Sequence, residues 1–144
     1  MSEHVFELHP QLAKDTSKVY SLPLCELLLC NDSNYPWFIL VPRVADIKEA
    51  FQLEWEQQQQ LANESSLVGE LIMQEFAGEK LNVAALGNMV PQLHIHHIVR
   101  FSHDASWPNP IWGQVPAKFY DEQVKAAIIK SLTTKLDKIV QVNN

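Results

Sequence analysis

The stretch Gly87 to Phe101, "GNMVPQLHIHHIVRF", holds His94, His96 and His97, three of the six histidines in the chain. An imidazole that is neutral near pH 7 can act as a base, a nucleophile or a metal ligand. The segment reads as a β-strand, in which alternate residues share a face. Gln92, His94 and His96 therefore point one way, and Leu93, Ile95 and His97 the other. His94 and His96 are two residue rises apart, roughly 7 Å along the strand. His97 falls among apolar neighbours and reads as a packing histidine.

Three chemistries remain open for the His94/His96 pair. The two can be plain residues of a polar strand face. They can bind zinc, which then needs a third ligand; His4, His9, His103 and the two cysteines have no spacing that nominates one. Or one imidazole is a nucleophile and the other supports it. Nearby amides favour the third reading. Gly87 lets backbone approach a ligand closely, Asn88 adds an uncharged donor, and Asn31 lies in a turn upstream. Amides and imidazoles together can hold a phosphate without net positive charge, although turn chemistry alone also accounts for each Asn.

Elements must position these groups. Leu24 to Cys30, "LCELLLC", reads as a buried strand, "NDSNYP" as a turn, and Trp37 to Val41 as the returning strand of a hairpin. Asp46 reads as a helix N-cap with Glu49 three residues on. Ile47, Phe51 and Trp55, then Leu61, Ser65, Val68, Ile72 and Phe76, recur at helical spacing, with a break near Leu53. The run Gln57 to Gln60 reads as a solvated face, and Gly78 as the C′ residue. Leu81 to Leu86 and Pro91 to Phe101 are two more strands. "SHDASWPNPIWGQVP" is an ordered irregular loop, in which Trp107 and Trp112 read as packing residues. Tyr120 to Lys138 closes the chain as a helix, with Val124, Ala127, Ile128, Leu132 and Leu136 on one face. Strands and helices do not alternate, so the class is α+β with an antiparallel sheet.

The chain has 144 residues, enough for one domain spanning 1–144. With 47% hydrophobic and 19% charged residues it has a globular composition. A net charge of −6 argues against a broad electrostatic grip on nucleic acid. Cys25 and Cys30 lack CxxC spacing, so no disulfide and a reducing, cytoplasmic location are expected. No basic segment followed by an apolar run marks a signal peptide, and no stretch is apolar enough to span a bilayer.

At this point "QLHIHHI", Gln92 to Ile98, resembles the signature of the histidine triad (HIT) superfamily, His-φ-His-φ-His-φ-φ with φ hydrophobic. The wider stretch "KLNVAALGNMVPQLHIHHIVR" looks like the bacterial branch near the fragile histidine triad hydrolases, with Gly87–Asn88 ahead of the triad and Arg100 after it. "LLLCNDSNYPWFILVPR" is similar to the family's first hairpin. The likeness covers about 24–101; the loop and helix at about 102–140 look like a branch extension.

The resemblance implies a HIT-like α+β fold: a five-stranded antiparallel sheet, helices packed on one face, and here an additional C-terminal helix. It implies a homodimer, a small-molecule nucleotide substrate such as a dinucleoside polyphosphate, and reaction at the α-phosphate with no metal or other cofactor. His94 falls on the family's nucleophile and His96 on the histidine that stabilises the phosphate. Asn88 falls near the phosphate and leaving group, and Asn31 on a nucleotide-contacting Asn. Gln92 replaces the first triad histidine within the substrate-binding set. If its backbone carbonyl orients the nucleophile, nothing is lost, since every residue has one. If the side chain is required, the expectation becomes a nucleotide-binding or regulatory module with little turnover.

Overall fold

The computed structural model describes residues 4–143. The elements are α1 (Pro10–Asp15), β1 (Thr16–Ser21), β2 (Cys25–Cys30), β3 (Trp37–Pro42), a 3-10 turn (Ala50–Gln52), α2 (Trp55–Glu75), β4 (Lys80–Ala84), β5 (Ile95–Arg100) and α3 (Glu122–Asn143). The strands form one antiparallel sheet in the order β1-β2-β3-β5-β4. β2, β3 and β5 form its centre and are covered on both faces; β2 and β3 are apolar runs but for Glu26, whereas β5 also buries His96, His97 and Arg100.

Residue pattern alone finds four strands; the fifth that the resemblance implies is β1, "TSKVYS". It is polar, it lies at a sheet edge, and its pairing with β2 slips between Lys18 and Tyr20. That slip breaks the period-2 signal by which a strand is recognised.

One face carries the main core. Leu27 and Leu29 of β2, Phe38 and Leu40 of β3 and Val99 of β5 pack with Val68 and Ile72 of α2 and Leu132 and Leu136 of α3. Burying each such side chain contributes on the order of 1.5–3 kcal/mol, which is what holds both helices on this side. Val124 and Ala127 stay exposed, so the buried stripe of α3 starts later than its sequence suggests, at Ile128.

The opposite face is covered differently. The N-terminal segment and α1 lay Phe6, Leu8 and Leu12 over Leu28, Ile39 and Val41. The loop after β5 lays Ile111, Trp112 and Val115 over Tyr35, Trp37 and Ile98. Between these two covers the sheet is open, and that opening holds His94 and His96.

Several local expectations are corrected. Asp46 has φ of 60° and contacts His4, so it caps no helix. The caps are Glu49 and Glu54, whose backbone N–H groups donate to Gln52 and Gln57 at 2.9 and 3.0 Å. The break at Leu53 is real, but Phe51 and Trp55 are 78% and 70% exposed, and Leu53 is buried in their place. Nor is the glutamine run merely solvated: Gln58 donates to the Leu53 carbonyl at 2.9 Å and Gln60 to Glu64 at 2.6 Å.

At the end of α2 the left-handed residue is Ala77, with φ of 51°. Gly78 follows it and donates to the Met73 carbonyl at 3.0 Å, the outer bond of a Schellman turn. Gly78 is required for close approach, since a Cβ there would sit 2.3 Å from Val99 Cγ1.

Candidate active site

His94 and His96 emerge on the open face. Their rings meet edge to face with centroids 4.9 Å apart, closer than the strand rise alone gives. Both are only 6% exposed, yet both line a cavity of about 390 Å³ with Gly87, Asn88, Val90, Trp37 and Trp112. Gly87 turns the chain into this wall with φ of 73°, a conformation that favours glycine. A second cavity of about 400 Å³ adjoins it, lined by Lys14, Asn31, Asp32, Ile111, Val115 and Phe119. The two share Asp15, Cys30, Trp37 and Trp112 as walls.

Hydrogen bonds assign the proton on each ring. His94 Nδ1 lies 2.7 Å from the Gln92 carbonyl oxygen. A carbonyl only accepts, so Nδ1 carries the proton and donates, which leaves the lone pair on Nε2. His96 is the reverse case. The Trp37 indole Nε1–H donates to His96 Nδ1 at 3.0 Å. An indole N–H only donates, so the proton of His96 is on Nε2. The site thus pairs one imidazole bearing a free lone pair with one bearing a free donor. Burial, with His94 and His97 nearby, lowers the His96 pKa to about 4 and keeps that ring neutral.

His97 points to the other face and is fully buried. Its Nε2 meets Ser65 Oγ at 2.7 Å and its Nδ1 meets the Ile95 carbonyl at 3.1 Å. Burial lowers its pKa to about 4, only partly opposed by the Ile95 bond. It is the packing histidine that strand alternation predicts.

The other predicted residues divide. Asn88 is exposed at the rim of the histidine cavity. Asn31 lies in the adjoining cavity, where its Oδ1 accepts from Ser17 Oγ at 3.0 Å. The Gln92 side chain is engaged elsewhere: Oε1 accepts from His9 N and Nε2 donates to the Glu7 carbonyl, both at 2.9 Å. What Gln92 turns toward His94 is its main-chain carbonyl.

Arg100 shares the face of His96 but is 1% exposed and fully engaged. It pairs with Asp104 at 2.8 and 3.1 Å and donates to Asn82 at 2.8 Å and to the Asn109 carbonyl at 2.9 Å. Burial alone would raise the Asp104 carboxyl; Arg100 and the N–H groups of Phe101 and Ser106 outweigh it and hold the pKa down to about 2. This knot ties the loop after β5 to the sheet, and through it places Trp112.

Sequence reasoning missed Trp37 as a site residue and treated Trp112 as packing. Trp112 stands edge-on to both His96 and Trp37, at 5.2 and 6.3 Å between centroids. No local signal in the sequence marks Trp37, which shares a face with Ile39, the partner of His96 once β3 and β5 pair.

Lys14 is the one cation among the residues lining the two cavities. Cys30 is a free thiol in their shared wall, pushed up to about 12 by burial and by Asp32 and Asp15, so it is no nucleophile there. Among the described residues no group of three or more His, Cys, Asp or Glu could hold a metal ion, and no helix is long and apolar enough to cross a membrane.

Comparison with known proteins agrees with this geometry. The HIT domain family model matches residues 11–103. A histidine triad protein of Marinobacter aquaeolei VT8 is 50% identical, with a TM-score of 0.90 over 94% of this chain and 98% of that one. One from Bradyrhizobium japonicum is 42% identical, with a TM-score of 0.90 over 92% and 98%. One from Sinorhizobium meliloti 1021 is 40% identical, with a TM-score of 0.86 over 87% and 93%. No curated protein matches the chain. Paired imidazoles on the open face, the five-stranded sheet beneath them and these likenesses together place the chain in the HIT family, whose members are in general nucleotide hydrolases and transferases.

Proposed function

We propose that the protein is a hydrolase or transferase acting at the α-phosphate of a nucleotide anhydride, ester or phosphoramidate, through a nucleotidyl-histidine intermediate on His94. The observation that carries this reading is the 2.7 Å bond from His94 Nδ1 to the Gln92 carbonyl. It leaves Nε2 unprotonated, in a cavity bordered by neutral donors.

In the first step the Nε2 lone pair attacks the α-phosphorus. The bond from phosphorus to the leaving group breaks and its electron pair departs with that group. The positive charge on the imidazole is supported by the Gln92 carbonyl. In the second step water, or another acceptor in a transfer, attacks the same phosphorus. The nitrogen–phosphorus bond breaks, the nucleoside monophosphate leaves, and His94 returns to its neutral form as the attacking water loses its proton. His96 Nε2–H and the Asn88 amide stabilise charge on the phosphate oxygens, the electrostatic work on which phosphoryl transfer mostly depends. Asn31 contacts the nucleoside from the adjoining cavity. Gln92 acts through its carbonyl, which supports turnover despite the missing first histidine.

The rest of the reading is one domain over 1–144 that works as a homodimer in the cytoplasm. β4 pairs only with β5 among the described strands, and Val83 beside that edge is 50% exposed, which supports a partner there.

The test is a panel of dinucleoside polyphosphates, nucleoside phosphoramidates and adenylylated amines, run with wild type and His94→Ala side by side. Wild type is expected to turn over at least one class, and His94→Ala none while remaining folded. A rapidly quenched mass spectrum should show one nucleotidyl group on His94. Wild-type rates in His94→Ala would overturn the assignment, and tight binding without product would favour the regulatory module.

A further inference from the structure

Two imidazoles side by side do not by themselves make a nucleophile and a donor. Each can carry its proton on either nitrogen, and each ring can flip. For His94 the choice is made two residues back along the chain, just before β5, by the Gln92 carbonyl. For His96 the choice is made by another strand. Trp37 opens β3, and its indole N–H reaches His96 Nδ1 at 3.0 Å with the two rings tilted by 47°. Trp112 from the loop after β5 stands edge-on to both, at 76° to His96 and 88° to Trp37. His96 is thereby boxed between a donor and a blocking edge, and flipping its ring would forfeit the indole bond.

We propose that Trp37 is a positioning residue, which holds His96 as the Nε2–H tautomer so that it presents a donor rather than a lone pair to a phosphate oxygen beside His94. The inference rests on the nucleotide reading above for the identity of the ligand, but the proton assignment stands on geometry alone. In the other tautomer a lone pair would face the phosphate oxygens, and attraction would become repulsion. Trp37 has no direct part in the chemistry. Its effect passes through one hydrogen bond to one ring nitrogen.

Nitrogen-15 NMR of the full-length protein with labelled histidine tests this directly, since protonated and bare ring nitrogens resonate far apart. Wild type at pH 7 is expected to show His96 with the proton on Nε2 and a bare Nδ1, and adenosine 5′-monophosphate should shift the Nε2–H resonance. Trp37→Phe keeps a ring in the box and removes only the donor. It should give a mixed His96 tautomer and bind adenosine 5′-monophosphate about tenfold more weakly, with the His94 signals unchanged. A wild-type His96 protonated on Nδ1 would overturn the proposal, and that measurement needs no variant to fold. So would a Trp37→Phe protein that keeps both the wild-type tautomer and the wild-type affinity. If wild type binds no adenosine 5′-monophosphate, the nucleotide reading fails on its own account, and the tautomer comparison still decides the role of Trp37.

Discussion

His96 and His97 are neighbours on one strand, both buried, both held neutral with pKa values lowered to about 4. They differ in direction. His96 faces a cavity and an indole from β3. His97 faces Ser65 of α2 and the main core. Burial and a perturbed pKa therefore do not separate a cavity-facing histidine from a packing one here, although such perturbation is a common pointer to function. What separates them is where the second ring nitrogen goes. For His97 both nitrogens are engaged by the protein, whereas the Nε2 proton of His96 remains free for a ligand.

Arg100 gives the sharpest way to press that contrast, because it shares the site face yet is wholly engaged. Arg100→Ala should destabilise the fold by about 3–5 kcal/mol, since it strands the buried Asp104 carboxylate; the midpoint of urea unfolding measures this. His96→Ala should do the opposite, lowering kcat by about 10²–10³ while the unfolding midpoint moves little. His97→Ala should cost about 2–3 kcal/mol of stability through a cavity and an unpartnered Ser65 hydroxyl. The protein that still folds should retain turnover close to wild type. If His97→Ala and His96→Ala lose activity alike, direction is not the deciding variable.

A further expected effect is in pH. Both rings have folded-state pKa values below the unfolded value of roughly 6.5. Their contribution to stability is complete above that value and falls away as pH drops toward 4, because the unfolded chain binds more protons there. Thermal unfolding between pH 7 and 4 should show this slope, and His97→Phe should flatten it.

Much of the architecture was legible in sequence because its signals are local. The apolar runs of β2 and β3, the helical spacing of Val68 and Ile72, and the parity of His94, His96 and His97 all follow from periodicity. The misses share a different cause. β1 hides because a polar edge strand has little pattern to show. Asp46 looks like a cap by residue type, but the chain chose Glu49 and Glu54 with glutamine partners. Trp37 gains its meaning only once β3 lies beside β5, a pairing between segments almost sixty residues apart. The side chain of Gln92 could not be read from its neighbours, since its amide serves Glu7 and His9, more than eighty residues earlier in the chain.

That last arrangement makes residue 92 a connector with two ends. Its amide grips Glu7 and His9 and its carbonyl steers the His94 ring. Freedom of movement in the opening segment and the aim of His94 are therefore not independent quantities. Trimming that segment, or fusing a bulky tag to it, should be felt as a change in the orientation of the His94 ring, even where the cavity keeps every one of its walls.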